Sequence, residues 1–397
     1  MWRLGFFFHE IAFGLLSIFI PLYVVTPAVG GSLVDLGIMT SLALLSAIPA
    51  SFFWGYICDR TRHYKLYILL SFISLSGILY LLTFATDIRT FIFLYVVMAV
   101  LHVAHEAPKN VLIAEHYPRE DWGKSYALYE GFTEIGSLIG LLLGLFTFTV
   151  TLNPTIILFL CSGLNLAAFI LSLFFVADPL IIFERRLVSI EKKIDYTYNG
   201  SRIFAKLSDG LSLREKFKSE NFTLFGTGLV LFSLASSLFF TPLPIFFSNA
   251  LALPTNMVFL IYVLNSSGTM IGYFFAGKKA ASPNAKSYVQ RLALLRGTLV
   301  LALVLIVNLA LSPTPLASVI LIFMGFAYAF YHILTLSLSM ELIPAGKAGL
   351  FDVLVGLGSS LGSFLGPFLA ETFGFLPQFM IASAIFFMAY VFFKLFS

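Results

Sequence analysis

The feature that most constrains this chain is a succession of about twelve long apolar runs separated by short polar breaks. A helix needs roughly 20 mostly apolar residues to cross ~30 Å of hydrocarbon. The runs fall at about Leu4–Val25, Val34–Tyr56, Leu66–Ala85, Phe91–Ala114, Ser125–Val150 and Thr155–Val176. A second set falls at about Phe222–Phe247, Asn256–Ala276, Val289–Leu311, Pro315–Met340, Gly349–Thr372 and Leu376–Leu395. Each run is continuous rather than alternating with period two, which predicts membrane-spanning helices and not a barrel. The residues are 59% hydrophobic and only 11% charged, against roughly 25% charged in soluble chains. The expected fold class is an all-α membrane protein, with twelve transmembrane helices in two pseudo-symmetric six-helix bundles.

Charge orients the spans. With the N-terminus inside, one face receives Arg3, Arg60, Arg62, Lys65, Arg119, Lys124, Lys278, Lys279, Lys286, Arg291, Lys347 and Lys394. The same face takes the basic residues between Arg185 and Lys218, whereas the opposite loops hold only Arg89. Lys109 and Arg296 fall within or near spans. This bias predicts that both termini are cytoplasmic in a cell-membrane protein. It also accounts for the net charge of +4, which therefore implies no nucleic-acid partner. The first span is read as retained rather than as a cleaved leader. Cys58 and Cys161 suggest neither a disulfide framework nor a thiolate metal site.

The long polar stretch between the two sets divides the chain into an N-terminal bundle (1–177), a cytoplasmic linker (178–220) and a C-terminal bundle (221–397). The halves repeat one another. Glu115-His-Tyr-Pro118-Arg-Glu-Asp-Trp-Gly123 has the spacing of Glu341-Leu-Ile-Pro344-Ala-Gly-Lys-Ala-Gly349, and Gly136-Ser137 and Gly140 recur in register as Gly362-Ser363 and Gly366. Two halves of like orientation suit alternating access. The stripe Gly136, Gly140, Gly144 reads as close helix packing.

The loop after the second span reads Gly55-Tyr-Ile-Cys-Asp59-Arg60-Thr-Arg62-His63-Tyr-Lys65. It resembles the Gly-x-x-x-Asp-Arg signature of the major facilitator superfamily, and the span count, central loop and repeat extend that resemblance over nearly the whole chain. The resemblance implies a secondary transporter and not an enzyme. It also implies a cytoplasmic gate in which Asp59 faces the start of the eleventh span at Gly349, and Arg60 pairs with Glu115. Gly55 would permit close helix approach. The chain departs from the pattern at Arg62, where a glycine is expected. Family antiporters carry a Gly-Pro in the fifth span, but here Leu141 follows Gly140 and the Gly-Pro stands at Gly366-Pro367. Export by antiport is the expectation, with uptake by symport its rival.

Charged groups inside spans are costly and mark transport paths. His102, His105, Glu106 and Lys109 fall within one roughly 100° arc of the fourth span, and His9 and Glu10 lie in the first. Glu134 is one turn from Glu130 in the fifth. A carboxyl withdrawn from water exchanges its proton under the influence of neighbouring Lys and His, so these groups are read as proton-coupling, led by Glu106 and Glu10 with Glu134 third. A satisfied Glu106–Lys109 intrahelical pair is the structural alternative. In the second half Ser237, Asn265, Tyr328, Tyr331 and His332 are read as substrate contacts for an uncharged or amphipathic solute. Pro242 and Pro244 are expected to break the seventh span.

The partners expected are a small-molecule substrate, protons and membrane lipid, with the chain acting as a monomer and no cofactor. Two alternatives use the same side chains: a divalent metal-ion transporter, and a membrane metalloenzyme built on His102, His105 and Glu106. The latter lacks the His-Glu-x-x-His order of zinc proteases.

Overall fold

The computed structural model describes residues 2–116, 122–149, 154–178, 222–277, 279, 284–309, 313–342 and 349–396. Twelve helices are long and apolar enough to cross a membrane: α1 Arg3–Val24, α2 Leu33–Thr61, α3 Tyr64–Leu82, α4 Ile88–Ile113, α5 Lys124–Thr147, α6 Pro154–Phe175, α7 Phe222–Ala250, α8 Thr255–Ala276, α9 Ala285–Asn308, α10 Thr314–Ser339, α11 Gly349–Phe373 and α12 Phe375–Phe396. No strand occurs among the described residues. The linker expected at 178–220 lies outside them except for Asp178, whose carboxylate accepts the Lys65 backbone N–H at 2.7 Å. Large apolar side chains such as Phe93 and Phe174 face outward, 66% and 74% exposed, as a lipid solvent requires.

Helix ends follow the local sequence. At the start of α2, Ser32 Oγ accepts the Asp35 N–H while the Asp35 carboxylate accepts the Ser32 N–H at 2.9 Å, a reciprocal cap. Only Gly374, at φ 89°, separates α11 from α12, a left-handed turn that favours glycine. The expected break in α7 is present. Regular helix ends at Phe240 before Pro242, a short turn spans Leu243–Ile245, and a wide turn covers Phe246–Ala250.

The packing of the first six helices recurs in the last six. α1 packs on α5 and α6, α2 and α3 on α4, and α3 on α6; likewise α7 packs on α11 and α12, α8 and α9 on α10, and α9 on α12. The repeated glycines make this possible. A Cβ at Gly140 would lie 2.0 Å from Ile11 O of α1, and one at Gly362 would lie 2.2 Å from Leu234 O of α7. The two sets meet along α2–α11 and α5–α8.

Candidate functional site: a central cavity with one carboxyl and one guanidinium

Both sets of helices enclose a cavity of about 700 Å³, within the range of sites for drug-sized molecules. Phe13 and Pro21 of α1, Met98 and His102 of α4 and Glu134 of α5 form one side. Ser237 of α7, Tyr262 and Asn265 of α8, Arg296 of α9 and Tyr328 of α10 form the other. The walls are mostly apolar, so the few polar groups stand out.

Glu134 lies midway along α5, and Ser266 of α8 donates its hydroxyl to Glu134 Oε1 at 2.5 Å. This bond joins the first six helices to the last six at mid-membrane depth. Arg296 lies midway along α9 and is 1% exposed. The rings of Phe232, Phe240, Tyr328 and Phe386 surround its guanidinium carbon at 5.2–5.4 Å. Each such contact is worth about 0.5–1 kcal/mol, more when desolvated. Its Nε and Nη1 nevertheless have no hydrogen-bond partner among the described residues. An unmet buried donor costs about 1–3 kcal/mol. The sequence places Arg296 within or near a span without assigning it a role. Its position eleven residues from Ala285 and twelve from Asn308 was the available signal.

The polar residues of α4 form one contiguous cluster, His102 beside His105, His105 beside Glu106 and Glu106 paired with Lys109. Pro108 has no N–H to give the carbonyl of Ala104 and its ring crowds that turn. The helix accordingly tightens into a 3-10 turn at Val103–His105. The polar side chains differ in exposure along this turn. His102 reaches the cavity wall, His105 is buried, and Glu106, with its side chain 38% exposed, forms an ion pair with Lys109. His9 connects helices: its Nδ1 lies 2.8 Å from Asn165 Oδ1 and its Nε2 lies 3.0 Å from His102 Nε2. Ser71 Oγ lies 3.1 Å from both His102 O and His105 Nδ1, and His105 Nε2 lies 3.4 Å from Glu106 Oε1. Ring nitrogens of His9, His102 and His105 all fall within 4.8 Å of one another. Glu10 is not on the cavity wall. It sits beside Gly136 of α5 and within electrostatic range of Glu130, Lys109, Glu106 and Glu134.

Of the groups read as substrate contacts, Ser237, Asn265 and Tyr328 line the cavity. The Asn265 amide donates to Leu321 O at 2.7 Å. Tyr331 instead stacks on Phe232, and His332 lies behind Tyr328, with its Nδ1 3.4 Å from Tyr273 Oη.

The sequence profile described as Major Facilitator Superfamily matches residues 4–367. The chain belongs to that superfamily. Multidrug resistance protein MdtG of Serratia proteamaculans is 33% identical over 179 residues, 44% of this chain and 43% of that protein. MdtG of a Rahnella species is 30% identical over 210 residues, 52% of this chain and 48% of that protein. The chain thus spans about half the length of the curated relatives it matches. A D-xylose-proton symporter structure aligns with TM-score 0.73 at 15% identity, over 99% of this chain and 95% of that one. The partially occluded inward-open xylose transporter XylE of E. coli aligns with TM-score 0.71 at 14% identity, over 99% and 96%. These structures share the fold. The protein is a multi-pass membrane transporter of the major facilitator superfamily and not an enzyme, so the metalloenzyme alternative is set aside.

The superfamily's loop motif is placed differently from expectation. A Cβ on Gly55 would meet nothing within 4 Å, so the close approach expected there is not made. Gly349 faces Phe52 instead, its Cβ position 3.0 Å from that ring. Asp59 and Arg60 are exposed, seven and eight residues further along α2, which is about 10 Å of helix rise or more. Arg60 Nη1 lies 3.5 Å from Tyr56 Oη. The side chain of Glu115, its expected partner, lies outside the described residues.

Proposed function

We propose that the protein exports a small organic solute through the central cavity by alternating access, exchanging it for protons that bind at Glu134. The observation that carries this reading is the Glu134–Ser266 hydrogen bond between α5 and α8. A carboxylate accepts that bond; a protonated carboxyl is a weaker acceptor. Proton occupancy and the contact between the two sets of helices are therefore linked, as coupling between two sites requires. His102 and His9 extend from the cavity toward α6, while Glu10, His105, Glu106 and Lys109 form a polar route on the cytoplasmic side. Ser237, Asn265 and Tyr328 contact the solute, with Tyr331 and His332 supporting the Tyr328 wall. The moving bodies are 1–177 and 221–397, joined by 178–220, in a monomer embedded in the cell membrane with both termini cytoplasmic. Asp59, Arg60, Glu115 and Gly55 act as the cytoplasmic latch in another state of the cycle. The export direction draws on the name of the MdtG relatives.

Liposomes carrying purified protein and an internal pH dye test this. Solutes that move should shift the internal pH, and Glu134→Gln should abolish the shift while retaining solute binding. A shift of undiminished size in Glu134→Gln would remove Glu134 from the coupling.

A second reading is favoured by one observation, the convergence of the His9, His102 and His105 ring nitrogens beside the cavity. Neutral imidazoles are common ligands for divalent transition metals, and the solute would then be such an ion. Metal flux that survives His105→Ala would exclude it.

A further inference from the structure

Given transport through the central cavity, the chemistry of the solute follows from Arg296. A guanidinium keeps its charge throughout the physiological range, and a cation at mid-membrane depth is retained where it meets a counter-charge or a transported species. No such counter-charge is in place. Glu134 is bonded to Ser266, and among the described residues no ion pair involves Arg296. Four rings surround the guanidinium carbon, and the buried Nε and Nη1 have no hydrogen-bond partner among the described residues. Two more wall atoms, Ser236 Oγ of α7 and Tyr262 Oη of α8, also have no partner among the described residues. Arg296, Ser236 and Tyr262 thus bring buried, unmet polar atoms to the wall of one largely apolar cavity.

We propose that Arg296 docks the anionic group of the substrate, so that the transported solute is an amphipathic organic monoanion of the carboxylate type. The guanidinium, charged throughout the physiological range, pairs with a carboxylate through charge-assisted hydrogen bonds, and the Ser236 and Tyr262 hydroxyls belong to the same wall. Arg296 is the only Lys or Arg on that wall among the described residues. A dianion would therefore leave one charge unpaired, and an organic cation would meet repulsion; both are selected against. The apolar body of the solute lies against Phe13, Leu16 and Phe240.

The test uses purified full-length protein in nanodiscs and three matched sets of probes: phenylbutyrate, decanoate and naphthoate, each with its amide and its amine. Binding is read by tryptophan fluorescence, and flux of the same compounds is read in liposomes. At least one carboxylate should bind about tenfold or more tighter than its amide. Arg296→Gln should abolish that preference, and Arg296→Lys should retain part of it. The comparison within wild type stands even where a variant does not fold. Carboxylates that bind no better than their amides or amines overturn the assignment, as does a preference that persists in Arg296→Gln. Flux separates the two levels: movement of amides or amines without carboxylate preference overturns the anion assignment alone, whereas absence of flux for every compound overturns the transport reading with it.

Discussion

His9 and His102 face each other Nε2 to Nε2 at 3.0 Å, and the tautomers of the pair are fixed from the far side of His9. Asn165 donates its amide to Cys161 O at 2.9 Å, which turns Oδ1 toward His9. A neutral His9 then carries its hydrogen on Nδ1 and accepts at Nε2, so His102 donates. Replacing Asn165 with Leu leaves a buried imidazole N–H without an acceptor, which should lower stability by about 1–3 kcal/mol. Thermal unfolding of the purified protein checks this, and an unchanged midpoint would contradict it.

Two glycines should respond in opposite ways to the same substitution. Gly140→Ala forces a methyl against Ile11 O and should destabilise by about 1–3 kcal/mol through separation of α1 from α5. Gly163 of α6 has no heavy atom within 4 Å of its would-be Cβ, so Gly163→Ala should be neutral or stabilising by up to about 1 kcal/mol. Equal melting temperatures for the two variants would refute the packing account.

Arg62 ends α2 at φ 58°, with its N–H bonded to Cys58 O at 2.8 Å. This is the left-handed conformation that costs a side-chain-bearing residue about 1–2 kcal/mol. It falls where the superfamily pattern has glycine, which explains the pattern. Arg62→Gly should raise stability by up to about 1 kcal/mol, part of the gain being offset by the freer unfolded chain. A lower melting temperature in this variant would show that the Arg62 side chain contributes more than its backbone costs.

Asp87 caps α4 from outside the membrane span, accepting the Thr90 N–H at 2.9 Å. Hydrogen bonding from Thr90 holds its carboxyl below the usual value. A group with a depressed folded pKa stabilises above its unfolded pKa, and that contribution is lost as pH falls through the lower folded value. Protection of the Thr90 amide in hydrogen exchange should therefore persist below about pH 4 before it fails. Asp87→Ala should remove it at every pH, and full protection in that variant would disprove the cap.

The twelve spans were legible because bilayer thickness imposes a length that apolar runs must meet. Their ends were less so. α2 runs on to Thr61, past the apolar limit at Tyr56, because backbone hydrogen bonds continue where hydrocarbon stops. Within the candidate site, Ser237, Asn265, Tyr328, His102 and Glu134 were found from polarity inside spans. The grouping of His102, His105, Glu106 and Lys109 was legible from helical spacing, whereas the 3-10 turn at Val103–His105 within it was not. Arg296 was passed over because basic residues were weighed for topology, and its depth within α9 was not. The bond between Glu134 and Ser266 joins residues 132 apart in sequence, a pairing that only tertiary structure displays.

A cavity wall with one guanidinium and one carboxyl also sets how the carrier responds to voltage. An anion leaving while one proton enters moves two charges in the direction favoured by an inside-negative membrane, and each is worth about 2.3 kcal/mol per 100 mV. Export would then be drawn by the electrical gradient even where the pH gradient vanishes. An anion entering together with one proton would move no net charge, and its transport would be indifferent to the potential.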